Sequence, residues 1–91
     1  MSEHLDKARD LHAAIAEVLL REWDPIGVAD VPQAQDEYDS YVPEIYAMLI
    51  RREPRAHLIA YLRWAETDHM GLQGNREKTA RIADRLRQLA N

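Results

Sequence analysis

No cysteine occurs in the 91 residues, so disulfides, thiolate metal sites and cysteine nucleophiles are excluded at the outset. Phenylalanine is missing too, and all six aromatic side chains (Trp23, Tyr38, Tyr41, Tyr46, Tyr61 and Trp64) carry a polar atom that wants a hydrogen-bond partner once buried. No apolar run approaches the roughly 18 residues of a membrane span, and the opening MSEHLDKARD lacks the apolar centre of a secretory signal. These absences lead to the expectation of a reducing, cytoplasmic setting without membrane contact. The length leaves room for one helical domain, residues 1–91. A chain this short buries only about two-thirds of its unfolded surface, so nearly every apolar residue is needed for the core.

Another absence is local. Residues 22–50 contain no lysine or arginine but seven acids (Glu22, Asp24, Asp30, Asp36, Glu37, Asp39 and Glu44), a charge of −7. Residues 51–91 hold nine bases and five acids, a charge of +4, and the whole chain is at −4. Two explanations are open: basic helices packed beside the acidic segment, or an acidic face offered to a basic partner.

What is present is helical. Leu5, Ala8, Leu11, His12, Ile15, Val18, Leu19 and Trp23 fall at helical spacing and predict a first helix over about 3–22, with Ser2 as a possible cap. Asp24-Pro25-Ile26-Gly27 fits a type I turn, and residues 28–35 read as a connecting loop. Asp36 is a plausible N-cap for a second helix reaching Arg52, with Tyr38, Tyr41, Val42, Ile45, Met48 and Leu49 on its apolar stripe. Pro43 costs such a helix about 3 kcal/mol, so either the helix bends there or a short turn at 36–41 precedes a helix starting near Val42. Pro54 opens a third helix with Leu58, Tyr61, Leu62, Ala65 and Met70 inward and Gly71 as its stop. Asn75 then caps a fourth helix to about Leu89, buried through Thr79, Ile82, Ala83, Leu86 and Leu89. The expected fold is all-α: a compact bundle of four helices with one longer loop between the first two.

Motifs with chemistry are few. Glu66-Thr-Asp-His69 is a Glu-x-x-His pair of the kind used in di-iron bundles, but those need two copies and two further glutamates. A homodimer could supply the second copy, so Glu66 and His69 form the alternative, metal-binding reading. His12 lies on an apolar stripe, His57 and Glu53 flank Pro54, and His4 sits at the terminus; each reads as structural or solvated. There is no phosphate-binding glycine loop, no catalytic triad spacing and no zinc signature, so neither enzyme nor cofactor is expected. Arg51, Arg52, Arg55 and Arg63, or Arg76, Lys78, Arg81, Arg85 and Arg87, could meet nucleic acid, but so modest a basic stripe in an acidic protein reads as a solvated helix face.

The run Trp23-Asp24-Pro25-Ile26-Gly27, followed by Asp36-Glu37-Tyr38 and the helix through Ile45, resembles a group of small bacterial all-helical proteins with a Trp-Asp-Pro motif, catalogued as a domain of unknown function. The resemblance covers about residues 15–72 and implies a helical fold; it carries no activity and no residue role. Pro43 and the loop at 28–35 depart from the shorter connection of some members. On the residues themselves, Trp23 is expected to plug the end of the bundle and Asp36 to cap helix two. Those roles leave Asp30, Glu37, Asp39 and Glu44 unexplained. These four, with Tyr46 and Trp64 off the apolar stripes, are the candidate surface for a basic protein partner, in the manner of small acidic immunity proteins that neutralise nucleases. A purely homo-oligomeric bundle joined through Tyr46 and Trp64 is the other alternative.

Overall fold

Periodicity and proline placement together dictate where each helix starts and stops. The computed structural model describes the backbone of residues 3–90 and the side chains of residues 7–90, so the Ser2 cap, Leu5 and His4 lie outside the described side chains. Within these limits the chain forms four α-helices and no strand. Helix α1 spans Glu3–Val18 and runs on into a wider, π-helical turn over Leu19–Trp23. The Asp24 N–H closes that turn by donating to the Leu19 carbonyl at 2.8 Å, and Asp24 itself takes a left-handed backbone, φ 32°.

The segment after Trp23 is built around one carboxylate. Asp24 accepts hydrogen bonds from the Val28 N–H at 2.7 Å, the Ala29 N–H at 3.1 Å and the Tyr38 hydroxyl at 2.7 Å. The Tyr38 oxygen in turn accepts from the Ile26 N–H at 3.2 Å. Gly27 N–H reaches the Asp24 carbonyl at 3.2 Å, the bond expected of the turn. Further along, Arg21 donates to the Ala29 carbonyl at 3.1 Å, and Gln35 donates to the carbonyls of Ala29 and Val31. The connection is therefore an ordered loop with its own polar framework.

Helix α2 is Val42–Ile50, preceded by a single 3₁₀ turn at Asp39–Tyr41. The expectation that Asp36 caps this helix is corrected: Tyr41 occupies the cap position, with no side-chain cap bond. A helix begun at Asp36 would place the Pro43 ring against a carbonyl in its interior, whereas a start at Val42 puts Pro43 in the first turn, where its missing N–H is harmless. The other end also falls short of Arg52, whose backbone turns left-handed at φ 55° while Glu53 N–H donates back to the Met48 carbonyl.

Helix α3, Arg55–Trp64, follows Pro54 and again widens, over Ala65–His69, into a π-helical turn closed by Met70 N–H on the Ala65 carbonyl. Gly71, φ 73°, ends it as expected. Helix α4, Arg76–Leu89, has the expected cap, with Asn75 Oδ1 accepting from Lys78 N–H at 3.1 Å. Helix α1 packs on both α2 and α4, and α3 packs on α4. Ile15, Leu19, Ile45, Leu62, Ala83 and Leu86 meet in the fully enclosed centre, each large aliphatic contributing about 1.5–3 kcal/mol by leaving water. Arg55 pairs with Asp84 at 2.6 Å and Arg85 with Glu22 at 3.4 Å, both at the surface between elements. No described helix is long and apolar enough to cross a membrane.

Burial pushes the Asp24 carboxyl up, but hydrogen bonds from Tyr38, Val28 and Ala29, together with the charge of Lys78, outweigh it and hold the group below its ordinary value. A carboxyl depressed in the folded state stabilises it above the unfolded pKa, and that contribution is lost as pH falls through the folded value. Urea unfolding followed downward from neutral pH should show stability declining below about pH 4. Asp24→Asn should be less stable at neutral pH by about 1–2 kcal/mol and have a flatter acid limb; an acid limb identical to the wild type would rule out Asp24 as the group responsible.

Candidate functional site

Two polar donors sit on core stripes and need an acceptor. Trp23, 1% exposed, ends the wide turn of α1; Thr79, 1% exposed, lies in the second turn of α4. The wide turn after α3 supplies the acceptor in Glu66, 3% exposed. Trp23 Nε1 donates to Glu66 Oε2 at 2.8 Å, and Thr79 Oγ1 lies 3.0 and 2.9 Å from the two carboxylate oxygens. The same hydroxyl is 2.8 Å from the Asn75 carbonyl, so one hydroxyl hydrogen faces three oxygens. Gly74, φ 78°, crosses so closely that a Cβ there would stand 3.0 Å from Glu66 Oε1. A cleft of about 300 Å³ opens beside the carboxylate, between Pro25, Leu72 and Lys78.

A second constellation reaches the surface. Trp23 packs on Tyr38 and meets Tyr41 edge-on at 5.8 Å; Tyr41 meets Tyr61 at 6.3 Å; Tyr61 stacks on Trp64 at 5.7 Å; and Trp64 stacks on His69 at 5.4 Å with planes 6° apart. The Tyr41 hydroxyl and His69 Nδ1 are hydrogen-bonded to one another. This chain of rings runs from the core to Trp64, which is 46% exposed. Burial, and the Glu37 carboxylate after it, push the Tyr41 hydroxyl above its ordinary value; burial and then Glu44 do the same for Tyr61. Buried Tyr38, hydrogen-bonded to the Asp24 carboxylate, is raised as well.

The six residues read from the sequence as a partner surface fall in three places. Trp64 stacks on Tyr61, and the exposed Glu37 and Glu44 are the carboxylates whose charge acts on Tyr41 and Tyr61 respectively. Asp39 lies on the other flank of α2, lining a shallow cavity with His12, Ala13 and Ala16 of α1. Tyr46, expected among the exposed aromatics, is half-buried on that flank, 4.2 Å from His12. Asp30 is exposed on the loop, next to the Ala29 carbonyl that Arg21 caps. Among the described residues no base comes within ion-pair distance of Asp30, Asp36, Glu37, Asp39 or Glu44; Glu22 alone of the seven acids has such a partner.

Glu66 and His69 do not face a common point. Glu66 is turned inward to Trp23 and Thr79, and His69 is exposed, bonded to Tyr41 and stacked on Trp64. Among the described residues no group of three or more His, Asp or Glu is placed to hold a metal ion. His57 bonds to Glu53 at the surface, as expected. Reasoning from sequence passed over the buried role of Glu66, although two signals pointed to it: an indole N–H at Trp23 and a hydroxyl at Thr79, both on buried stripes and both in need of an acceptor. No family model, curated protein or solved structure matches the chain, so its own residues carry the functional argument.

Glutamine fits this buried site by donor count: Trp23 donates to its oxygen, its amide donates to Thr79 Oγ1, and the Thr79 hydrogen goes to Asn75. Glu66→Gln should therefore remain within about 1 kcal/mol of the wild type, whereas Glu66→Ala, which orphans the indole N–H and leaves a void, should cost about 2–4 kcal/mol. Equal losses in the two variants, measured by chemical denaturation, would contradict the donor count. Gly71→Ala should cost about 1–2 kcal/mol from its left-handed backbone alone, since nothing lies within 4 Å of its Cβ position. Gly74→Ala adds the contact with Glu66 and should cost more, and the two melting temperatures rank them directly.

Proposed function

We propose that the chain is a small protein-interaction module whose acidic surface at about 30–44 receives a basic protein partner. The observation that supports this reading most is the set of five carboxylates, Asp30, Asp36, Glu37, Asp39 and Glu44, none with a base at ion-pair distance among the described residues. The chain had bases to spend on them, and Arg21, Arg55 and Arg85 are instead engaged elsewhere. Exposed carboxylates without a base of their own attract a cationic partner and accelerate its encounter. A basic nuclease neutralised in the manner of an immunity protein is the narrowest form of the proposal.

Native mass spectrometry of untagged protein, isolated gently from its own cells, is the direct test. A species heavier than the 10.6 kDa chain by the mass of a basic protein is expected. The bare chain alone, or a doubled mass, would overturn the proposal in favour of a solubilising surface or of self-association. With the partner in hand, the double charge reversal Glu37→Lys with Asp39→Lys should weaken binding roughly tenfold, chiefly through slower association, and flatten its salt dependence. Unchanged affinity in that variant would remove this surface from the interface.

A further inference from the structure

The cleft beside Glu66 is graded in depth and in charge. Trp23 and Glu66 are buried at its inner end, while Pro25, Leu72 and Lys78 along it are half-buried. It is separate from the acidic surface, since none of the five unpaired carboxylates at 30–44 lines it. Its volume, about 300 Å³, is at the small end of the range for metabolite sites.

A carboxylate this deep is ordinarily paired with a cation. Glu66, 3% exposed, has no base at ion-pair distance among the described residues. Its donors are two neutral groups with one hydrogen each: the Trp23 N–H, and a Thr79 hydroxyl that also faces the Asn75 carbonyl. A carboxylate can accept about four hydrogen bonds, so capacity is left over. It is greatest on Oε1, because the indole bonds to Oε2. Oε1 is also the oxygen that a Cβ at position 74 would crowd at 3.0 Å, and glycine leaves it uncovered. Glutamine would serve the internal donors as well, so the fold alone does not call for a charge here.

Lys78 lines the same cleft, and among the described residues its ammonium has no carboxylate at ion-pair distance, Glu66 included. The cleft thus holds a buried negative charge and a half-buried positive one. Lys78 opposes a simple cation there, and Glu66 opposes a simple anion. We infer that the cleft binds a small zwitterion, an α-amino acid with an apolar side chain. Its ammonium donates to Glu66 Oε1, its carboxylate meets Lys78, and its side chain lies against Pro25 and Leu72. Each end of such a ligand answers one charge of the cleft, so no charge is left buried without its opposite. A peptide N-terminus offers the ammonium alone and leaves Lys78 unanswered.

The chain has two tryptophans, so an amide-correlation NMR spectrum contains two indole N–H signals. Trp23, bonded to Glu66, reports on the cleft, and Trp64, which does not line it, is the control. The probes are L-leucine, L-leucinamide, which lacks the carboxylate charge, and 4-methylpentanoate, which lacks the ammonium. The Trp23 signal should move and saturate with leucine while the Trp64 signal stays in place. Each of the other two probes should bind roughly tenfold more weakly or worse, having lost one charge-assisted hydrogen bond. Glu66→Gln, which keeps the fold's own hydrogen bonds, should weaken leucine by a similar factor, and Lys78→Met should remove the preference for leucine over leucinamide. A Trp23 signal unmoved by leucine up to its solubility limit overturns the inference. So does leucinamide binding as well as leucine, which would mark a plain ammonium site, or leucine affinity unchanged in Glu66→Gln. Equal movement of both indole signals would mark non-specific association and overturn it as well.

Discussion

The hydrogen bond from the Trp23 indole to the buried Glu66 carboxylate is the contact on which the rest of the arrangement hangs. A carboxylate taken out of water without donors is costly enough that a 91-residue domain could not sustain it. Here the donors come from the end of α1 and the second turn of α4, so satisfying one side chain on α3 fixes three helices relative to one another. Gly74 belongs to the same arrangement, because its backbone is left-handed and a Cβ there would crowd Glu66 Oε1 at 3.0 Å.

Both partners of that bond lie in π-helical turns, Leu19–Trp23 and Ala65–His69. An extra residue in a turn shifts the angular position of everything after it. Trp23 and Glu66, four residues after buried Leu19 and Leu62, face the core as on a regular helix, whereas His69, three residues beyond Glu66, is carried to the surface. The wide turns also explain why a Glu-x-x-His pair, read on a regular helix as two groups on one face, does not act as one here. The expected geometry assumed an α-helix through residues 66–69, and the chain leaves that geometry at Ala65.

The all-helical bundle was legible because its signals are local: apolar residues at helical spacing, Pro54 and Asn75 at helix starts, Gly71 at a stop. Pro43 left two outcomes open, and the steric rule that raised the doubt also selects the observed one, with Pro43 in the first turn of α2. Trp23 at the bundle end, Tyr38 and Tyr41 on the packed side and Thr79 on a buried stripe were legible for the same reason. What stayed hidden depends on residues far apart in the chain. Asp36 looked like a cap because capping is judged from a few neighbours, whereas the carboxylate that organises this region is Asp24, fourteen residues before the Tyr38 hydroxyl it holds. Likewise, no local pattern places Glu66 between Trp23 and Thr79, or Tyr46 against His12.

Charge in the 22–50 segment divides along the same line. Asp24 is consumed by backbone and tyrosine donors, and Glu22 reaches Arg85, so these two acids belong to the fold. The remaining five contribute no described ion pair. The aromatic residues divide in parallel: Trp23, Tyr38 and Tyr41 are spent on the core, while Trp64 stands exposed at the outer end of the same ring series. A structural account thus covers Trp23 and Asp24 of the Trp-Asp-Pro motif, and the functional argument moves away from them, to the carboxylates between residues 30 and 44 that have no described ion pair.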